Sequence, residues 1–287
     1  MLRYTADRRV LAYMFVTTAV LIVQWNLPSI NWFLYVFSCF MAISVAVIAH
    51  NHNHLPMWRN TTMNTLTDYW LTLFYGFPAF GWIPTHNKNH HALNNREGDY
   101  TITYRVSESN NIFTLLSYPT ISSYYQQKPI RDYLKMLWQT DRTKFYLSFF
   151  QYFALAAFYG VLLYIDWQKT LLFVFVQHQV ALFSILVFNY LQHVHADEES
   201  EFNHSRNFVG FLNKLLFNNG YHTAHHIKAG VHWSKVPEFH AQIADKIDPS
   251  LNEKSFWGYI VRTYVLAPFS RRFASHSMRL ERMKRAV

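Results

Sequence analysis

Trp32-Phe33-Leu34-Tyr35-Val36-Phe37-Ser38-Cys39-Phe40-Met41-Ala42-Ile43-Ser44-Val45-Ala46-Val47-Ile48-Ala49 runs without a break into His50-Asn51-His52-Asn53-His54. As a helix the apolar part covers about 27 Å, close to the hydrocarbon thickness of a bilayer. It has no polar face to turn toward water, so it reads as a membrane-crossing helix rather than a surface helix of a soluble domain. At its end His50 and His54 stand at i and i+4, on one face, and His52 points elsewhere.

Upstream, residues 10–25 form a second apolar block, joined to the first through Leu27-Pro28-Ser29-Ile30-Asn31. The two blocks read as a transmembrane hairpin with Trp25 and Trp32 near the far interface. Residues 145–165 and 170–190 repeat the arrangement, turned by Asp166-Trp167-Gln168-Lys169. The expected fold is therefore all-α and integral to the membrane, a single domain over residues 1–287. Four crossings make two hairpins, about 10–49 and 145–190, under a histidine-rich cap of about 50–144 and 191–287 with interfacial helices. Within the cap, residues 94–144 read as a polar loop-and-helix region.

Cations crowd the N-terminus (Arg3, Arg8, Arg9), the middle region and the C-terminus, and both hairpin turns are nearly free of them. The positive-inside rule then places both termini and the cap in the cytoplasm. The net charge of +9 forms no basic stripe interleaved with aromatics, so it reads as orientation signal and contact with anionic lipid, not as a nucleic-acid surface. Only 15% of residues are charged against 51% hydrophobic, which also sets the chain apart from ordinary soluble domains. Cys39 is the only cysteine, which excludes disulfides, cysteine zinc sites and a resident iron–sulfur cluster. No cleavable signal peptide is expected, since the first apolar block leads straight into the second.

Histidines recur in patterns: His86-Asn87-Lys88-Asn89-His90-His91, then His193 four residues after Asn189, then His222-Thr223-Ala224-His225-His226. A helix puts His222, His225 and His226 on one face. If residues 66–83 crossed the bilayer, His50 and His54 would be separated from His86, His90 and His91. That segment, broken by Gly76, Pro78 and Gly81, is therefore expected in the interface. The pooled metal set is His50, His54, His86, His90, His91, His193, His222, His225 and His226. Nine imidazoles are too many for one zinc and suit two metals of higher coordination number with open positions. An all-nitrogen set favours iron over magnesium or calcium.

Asp99, Asp197 and Glu198 are candidates to orient imidazoles, and His52, Asn189 and His195 are candidate ligands or supports. His178 lies about 22 Å of helix from His193 and reads as structural. His204, His232, His240 and His276 read as supporting or unrelated. A zinc-dependent membrane hydrolase is a distant alternative, lacking any H-E-x-x-H motif; a carboxylate diiron bundle would need two E-x-x-H motifs, and only Glu201–His204 fits.

The series H-x-x-x-H, H-x-x-x-H-H, H-x-x-H-H across two hairpins resembles the membrane fatty acid desaturase superfamily, over residues 49–240. His50 and His54 match its first box, His86, His90 and His91 the second, and His222, His225 and His226 the third. Asn189 and His193 resemble the asparagine and extra histidine that some members carry. Gly220 through Trp233, Pro237 and His240 resembles the continuation in bacterial acyl desaturases. The extra His52 inside the first box is a departure. The resemblance implies a nonhaem diiron centre, O₂ as cosubstrate, and desaturation of a fatty acyl chain, with lipid hydroxylation or decarboxylation to a terminal alkene as alternatives. With no dinucleotide, haem or cysteine motif in the chain, electrons are expected from a ferredoxin- or reductase-type donor. Lys128, Arg131 and Lys135 could steer such a partner or touch lipid. Residues 256–269 are expected to form an interfacial helix, and residues 271–285 to rest on anionic lipid.

Overall fold

The computed structural model describes residues 1–285. It is mostly helical, 71%, and divides into two compact units, residues 1–86 with 128–185, and residues 87–127 with 186–287.

The first unit is built from long apolar helices. Arg8–Asn26 packs on Trp32–His54, which packs on Thr61–Tyr75, and Thr61–Tyr75 packs on Arg142–Thr170. Side chains that accept an otherwise unpaired N–H fix three starts: Asn31 takes Leu34 N–H, Asn60 takes Met63 N–H, and Asp141 takes Lys144 N–H. The C-terminal half of Trp32–His54 carries the core, with Val45, Ala46, Val47 and Ala49 wholly buried. Among the described residues two helical runs are long and apolar enough to cross a bilayer, Trp32–His54 and Arg142–His193. The second run, 52 residues long, is broken at Asp166, which has extended backbone (φ −160°, ψ 99°) and caps the next helical segment by accepting Lys169 N–H. The expected four-residue turn is thus a one-residue break. Lys169 Nζ lies 2.7 Å from the carbonyl oxygen of Trp25, so the two connections sit at the same end of this unit.

Thr61–Tyr75 has 15 residues and reaches about 22 Å, short of a bilayer crossing. It stops at Gly76, whose φ of +83° is left-handed, and beyond it the backbone turns back through hydrogen bonds of Ala79 to Thr72 and Phe80 to Gln151. A Cβ at Gly76 would lie 2.4 Å from the Cβ of His178. That ring is held by the Tyr159 hydroxyl at 2.6 Å, so it has no room to retreat. Gly76→Ala is expected to destabilise the protein by about 1–3 kcal/mol, combining left-handed strain with the clash. Thermal denaturation in detergent measures it, and an unchanged midpoint would contradict the packing described.

The region read as loop and helix holds one 29-residue helix, Ile112–Thr140, which runs through Pro119 and Pro129. His86 and His90 of the second histidine group lie on a π-helix, Ile83–His90, whose wider turn changes which positions share a face, and His91 opens the short helix His91–Leu93 that follows.

The second unit is a mixture of short helices and loops around two apolar clusters. Phe208, Tyr118, Tyr190, Leu191, Tyr259 and Tyr264 form one of them. Ala224, Val236, Ile243, Ile247 and Leu251 form the other, behind the third histidine group. Two-residue strands pair in parallel, Asn207 with Asn252 and Phe208 with Glu253. Residues 256–269 form Phe256–Ile260 followed by a π-helix, Val261–Leu266. The tail is not wholly given over to lipid. Arg279 and Arg282 on Met278–Arg285 pair with Glu198, and Arg282 also pairs with Asp197.

Candidate metal centre

In the first unit, Trp32–His54 and Ile83–His90 bring three imidazoles together. His50 Nε2 and His86 Nε2 are 2.9 Å apart, and the rings of His50, His54 and His86 lie 4.6–5.0 Å from one another. The indole of Trp82 covers His50 and His86 edge-on at 5.2 and 5.1 Å. His52 turns away from this set: its Nδ1 accepts Met57 N–H, and Nε2 is 3.6 Å from Asp68 Oδ1. Lys128 is paired with Asp132 at 2.7 Å.

In the second unit, His90, His193, His222 and His226 present one nitrogen each, all within 4.8 Å of one another. The Nε2 atoms run His90–His193 3.1 Å, His193–His222 2.9 Å and His222–His226 3.1 Å. His91 Nε2 meets His225 Nε2 at 3.0 Å, and the His91 ring stacks on His226. The short helix His222–Ile227 is placed by the residues between its ligands. Ala224 is buried in the apolar cluster, while Thr223 donates its N–H to Asn207 Oδ1 and bonds Ser205 through its hydroxyl. Gly220 precedes it because a Cβ there would stand 2.2 Å from the Phe208 carbonyl oxygen. His193 sits at a helix end whose last carbonyls are met by buried Arg206, which donates to Leu191 O and Val194 O.

The outer nitrogens decide what the inner ones can do. His90 Nδ1 donates to Asp99 Oδ2 at 2.7 Å, and His193 Nδ1 donates to His204 O at 3.2 Å. Burial first, and then the neighbouring His90 and His204 rings, hold His193 well below the usual imidazole pKa, so its ring keeps a lone pair on Nε2, and a His90 ring with its proton on Nδ1 offers Nε2 likewise. His193 Nε2, an acceptor, faces two other ring nitrogens, and one lone pair takes one proton. A proton shared within the tetrad serves one contact at a time; a cation among the four serves all of them. Burial and then the neighbouring rings of His91, His222, His193 and His90 hold His226 well below the usual imidazole pKa, so it too is neutral at pH 7. This nitrogen-only donor set fits a transition metal such as iron and not a hard oxygen-seeking cation.

Asp99 is completely buried and fully engaged. Oδ2 takes His90 Nδ1–H and Asn95 N–H; Oδ1 takes the N–H and hydroxyl of Thr101. Burial alone would raise its pKa, but the His90 ring and the Thr101 donors outweigh that and hold the carboxyl well below the usual carboxylate range. Asn189 gives its amide N–H to Tyr118 Oη at 2.7 Å, and Tyr118 donates to Thr101 O at 2.7 Å. It thus connects to Thr101, which bonds Asp99 and His90, through this relay. His195 uses Nε2 on Glu108 O and accepts the Ser275 hydroxyl on Nδ1, and Asp197 and Glu198 face Arg279 and Arg282. None of these three meets the tetrad. Thr101, Tyr118 and Arg206 support the ligands without any signal in their spacing, and His204, read as supporting or unrelated, takes part through its carbonyl oxygen.

The family model described as fatty acid desaturase matches residues 30–258. No curated protein and no solved structure matches the chain.

Proposed function

The chain belongs to the fatty acid desaturase family, and on that basis we propose an O₂-dependent diiron oxidoreductase of lipids that introduces a double bond into a fatty acyl chain. The observation that carries the metal is the His90–His193–His222–His226 tetrad, in which His193 Nε2 offers a single lone pair to two ring nitrogens at 3.1 and 2.9 Å. The nine imidazoles named from the sequence are the proposed ligands: in the second unit the tetrad would hold one iron, and His50, His54 and His86 in the first unit and His91 and His225 in the second are the remaining proposed ligands. When bound, the irons supply the chemistry no side chain has, activation of O₂ to remove hydrogen from an unactivated CH₂.

What the chain's own residues contribute is position and dryness. Asp99 keeps the proton of His90 on Nδ1, so Nε2 stays a ligand. His226, neutral through burial, needs no deprotonation to coordinate. Trp82, edge-on to His50 and His86, excludes water from that side. Two hydrogens leave the acyl chain and, with two electrons and two protons, reduce O₂ to two waters. The electrons come from a ferredoxin- or reductase-type protein, since the chain carries no redox cofactor motif of its own. The membrane reading is four crossings, about 10–49 and 145–190 as hairpins, with the termini and metal centre cytoplasmic. The single-residue break at Asp166 and the Lys169–Trp25 contact support it.

Lipid mass spectrometry of cells expressing the wild type and His225→Ala tests the reaction. The expected difference is acyl chains two hydrogens lighter with the wild type alone. Chains one oxygen heavier would assign hydroxylation, and terminal alkenes one carbon shorter would assign decarboxylation. Identical lipids in both strains would refute the enzymatic reading. Purified protein should carry about two irons per chain; one zinc would favour the hydrolase.

A further inference from the structure

Beside the third histidine group the second unit holds a cavity of about 370 Å³, within the range of small-molecule sites. One wall is the paired strands: Val209 N–H reaches Glu253 O, and Phe208 N–H reaches Gly220 O. Gln192, next to His193, and Asn219-Gly220, just before His222, form another part of the lining. Its body is apolar, made by Phe188, Phe208, Leu212, Leu216 and Phe256, with Phe256 stacked edge-on against Phe188 and Phe208 at 5.5 and 5.3 Å.

Three polar side chains in the lining have a donor to spare. Asn213, only 5% exposed, accepts Gly220 N–H on Oδ1, and its Nδ2 has no hydrogen-bond partner among the described residues. Ser255 Oγ accepts Gly258 N–H, which leaves its proton available. Lys254 is exposed and makes no ion pair among the described residues. A ligand meeting these groups must bring acceptors, best an anion, on an apolar body.

The rim points to where that ligand comes from. Phe211 and Trp257 are 72% and 67% exposed, and Val261, Val265 and Phe269 continue from Trp257 at four-residue intervals, all exposed. A row of bare apolar side chains at the mouth of an apolar cavity belongs in lipid, not in water.

We propose that this cavity binds a free fatty acid drawn from the membrane, its chain among Phe188, Phe208, Leu216 and Phe256 and its carboxylate on Lys254, Ser255 and Asn213. The occupant touches the backbone segments that carry His193 and His222, so the lipid that is oxidised would be recognised here as an anionic single-chain acid. That last step rests on the diiron reading; the binding does not.

The test is titration of the purified protein in lipid nanodiscs, under argon, with a fatty acid bearing a fluorophore at its methyl end. Saturable binding of one probe per chain is expected. Leu216→Trp, which fills the cavity, should weaken it at least about tenfold, or about 1.4 kcal/mol. Lys254→Glu, at an exposed position that leaves packing intact, should weaken it several-fold, as should esterification of the probe. Equal affinity in Lys254→Glu and for the methyl ester would overturn carboxylate recognition. Unchanged affinity in Leu216→Trp would overturn the site. If cells still produce oxidised lipid while binding fails these tests, the cavity assignment falls and the diiron reading stands; if binding passes and no lipid is oxidised, the reverse holds.

Discussion

Replacing His193 with alanine is expected to end lipid oxidation and to remove about half of the bound iron. Its Nε2 stands between those of His90 and His222, so no other ring can take over its place in the tetrad. The ring is wholly buried, and its Nδ1 is tied to a carbonyl oxygen. Neither water nor a shifted neighbour restores that ligand without moving the helix end held by Arg206. Metal analysis of purified protein together with lipid mass spectrometry reads both effects. Circular dichroism and size-exclusion chromatography show whether the variant remains folded. Wild-type iron content and product in this variant would remove His193 from the centre.

Asp99→Asn is expected to lower activity or metal affinity by about 10–100-fold. The carboxylate accepts four donors, two at each oxygen, and an amide of the same shape must turn its NH₂ toward one pair of them. If the NH₂ faces His90, that ring loses the acceptor for its Nδ1 proton, and the proton can move to Nε2, the position needed for metal. If it faces Thr101, the loop that bears the carboxylate is strained instead. Iron titration of the metal-depleted variant separates the two, because only the first changes affinity strongly while leaving thermal stability near that of the wild type. An unaffected iron titration and unaffected product would show that His90 needs no such partner.

Much of the site can be read in the sequence wherever helical spacing does the placing. His50 and His54 share a face because four residues make about one turn, and so do His222, His225 and His226. The π-helix at Ile83–His90 defeats the same argument for the second group, since nothing in the spacing of His86, His90 and His91 marks the wider turn. Among acidic candidates, Asp99, Asp197 and Glu198 look alike in sequence. They differ in the fold because Arg279 and Arg282, some eighty residues further on, claim the latter two. The Asn189–Tyr118–Thr101 relay joins residues up to 88 positions apart, a contact that local pattern does not carry. Two apolar runs, Trp32–His54 and Arg142–His193, are legible because their length and composition suffice for a crossing. The full length of Ile112–Thr140 is not, because Pro119 and Pro129 are helix breakers in most contexts and are tolerated here.

The facing nitrogens of His90, His193 and His222 carry a consequence for the life of the protein in the cell. Stripped of a cation, like-signed lone pairs would press on one another in a buried place, and the rings would have to part or take up protons there at a cost in free energy. On the proposed diiron reading the metal-loaded chain would be the durable one, and the metal-free chain the one that opens and meets proteases. Iron shortage would then cost the cell this polypeptide by degradation as well as its activity.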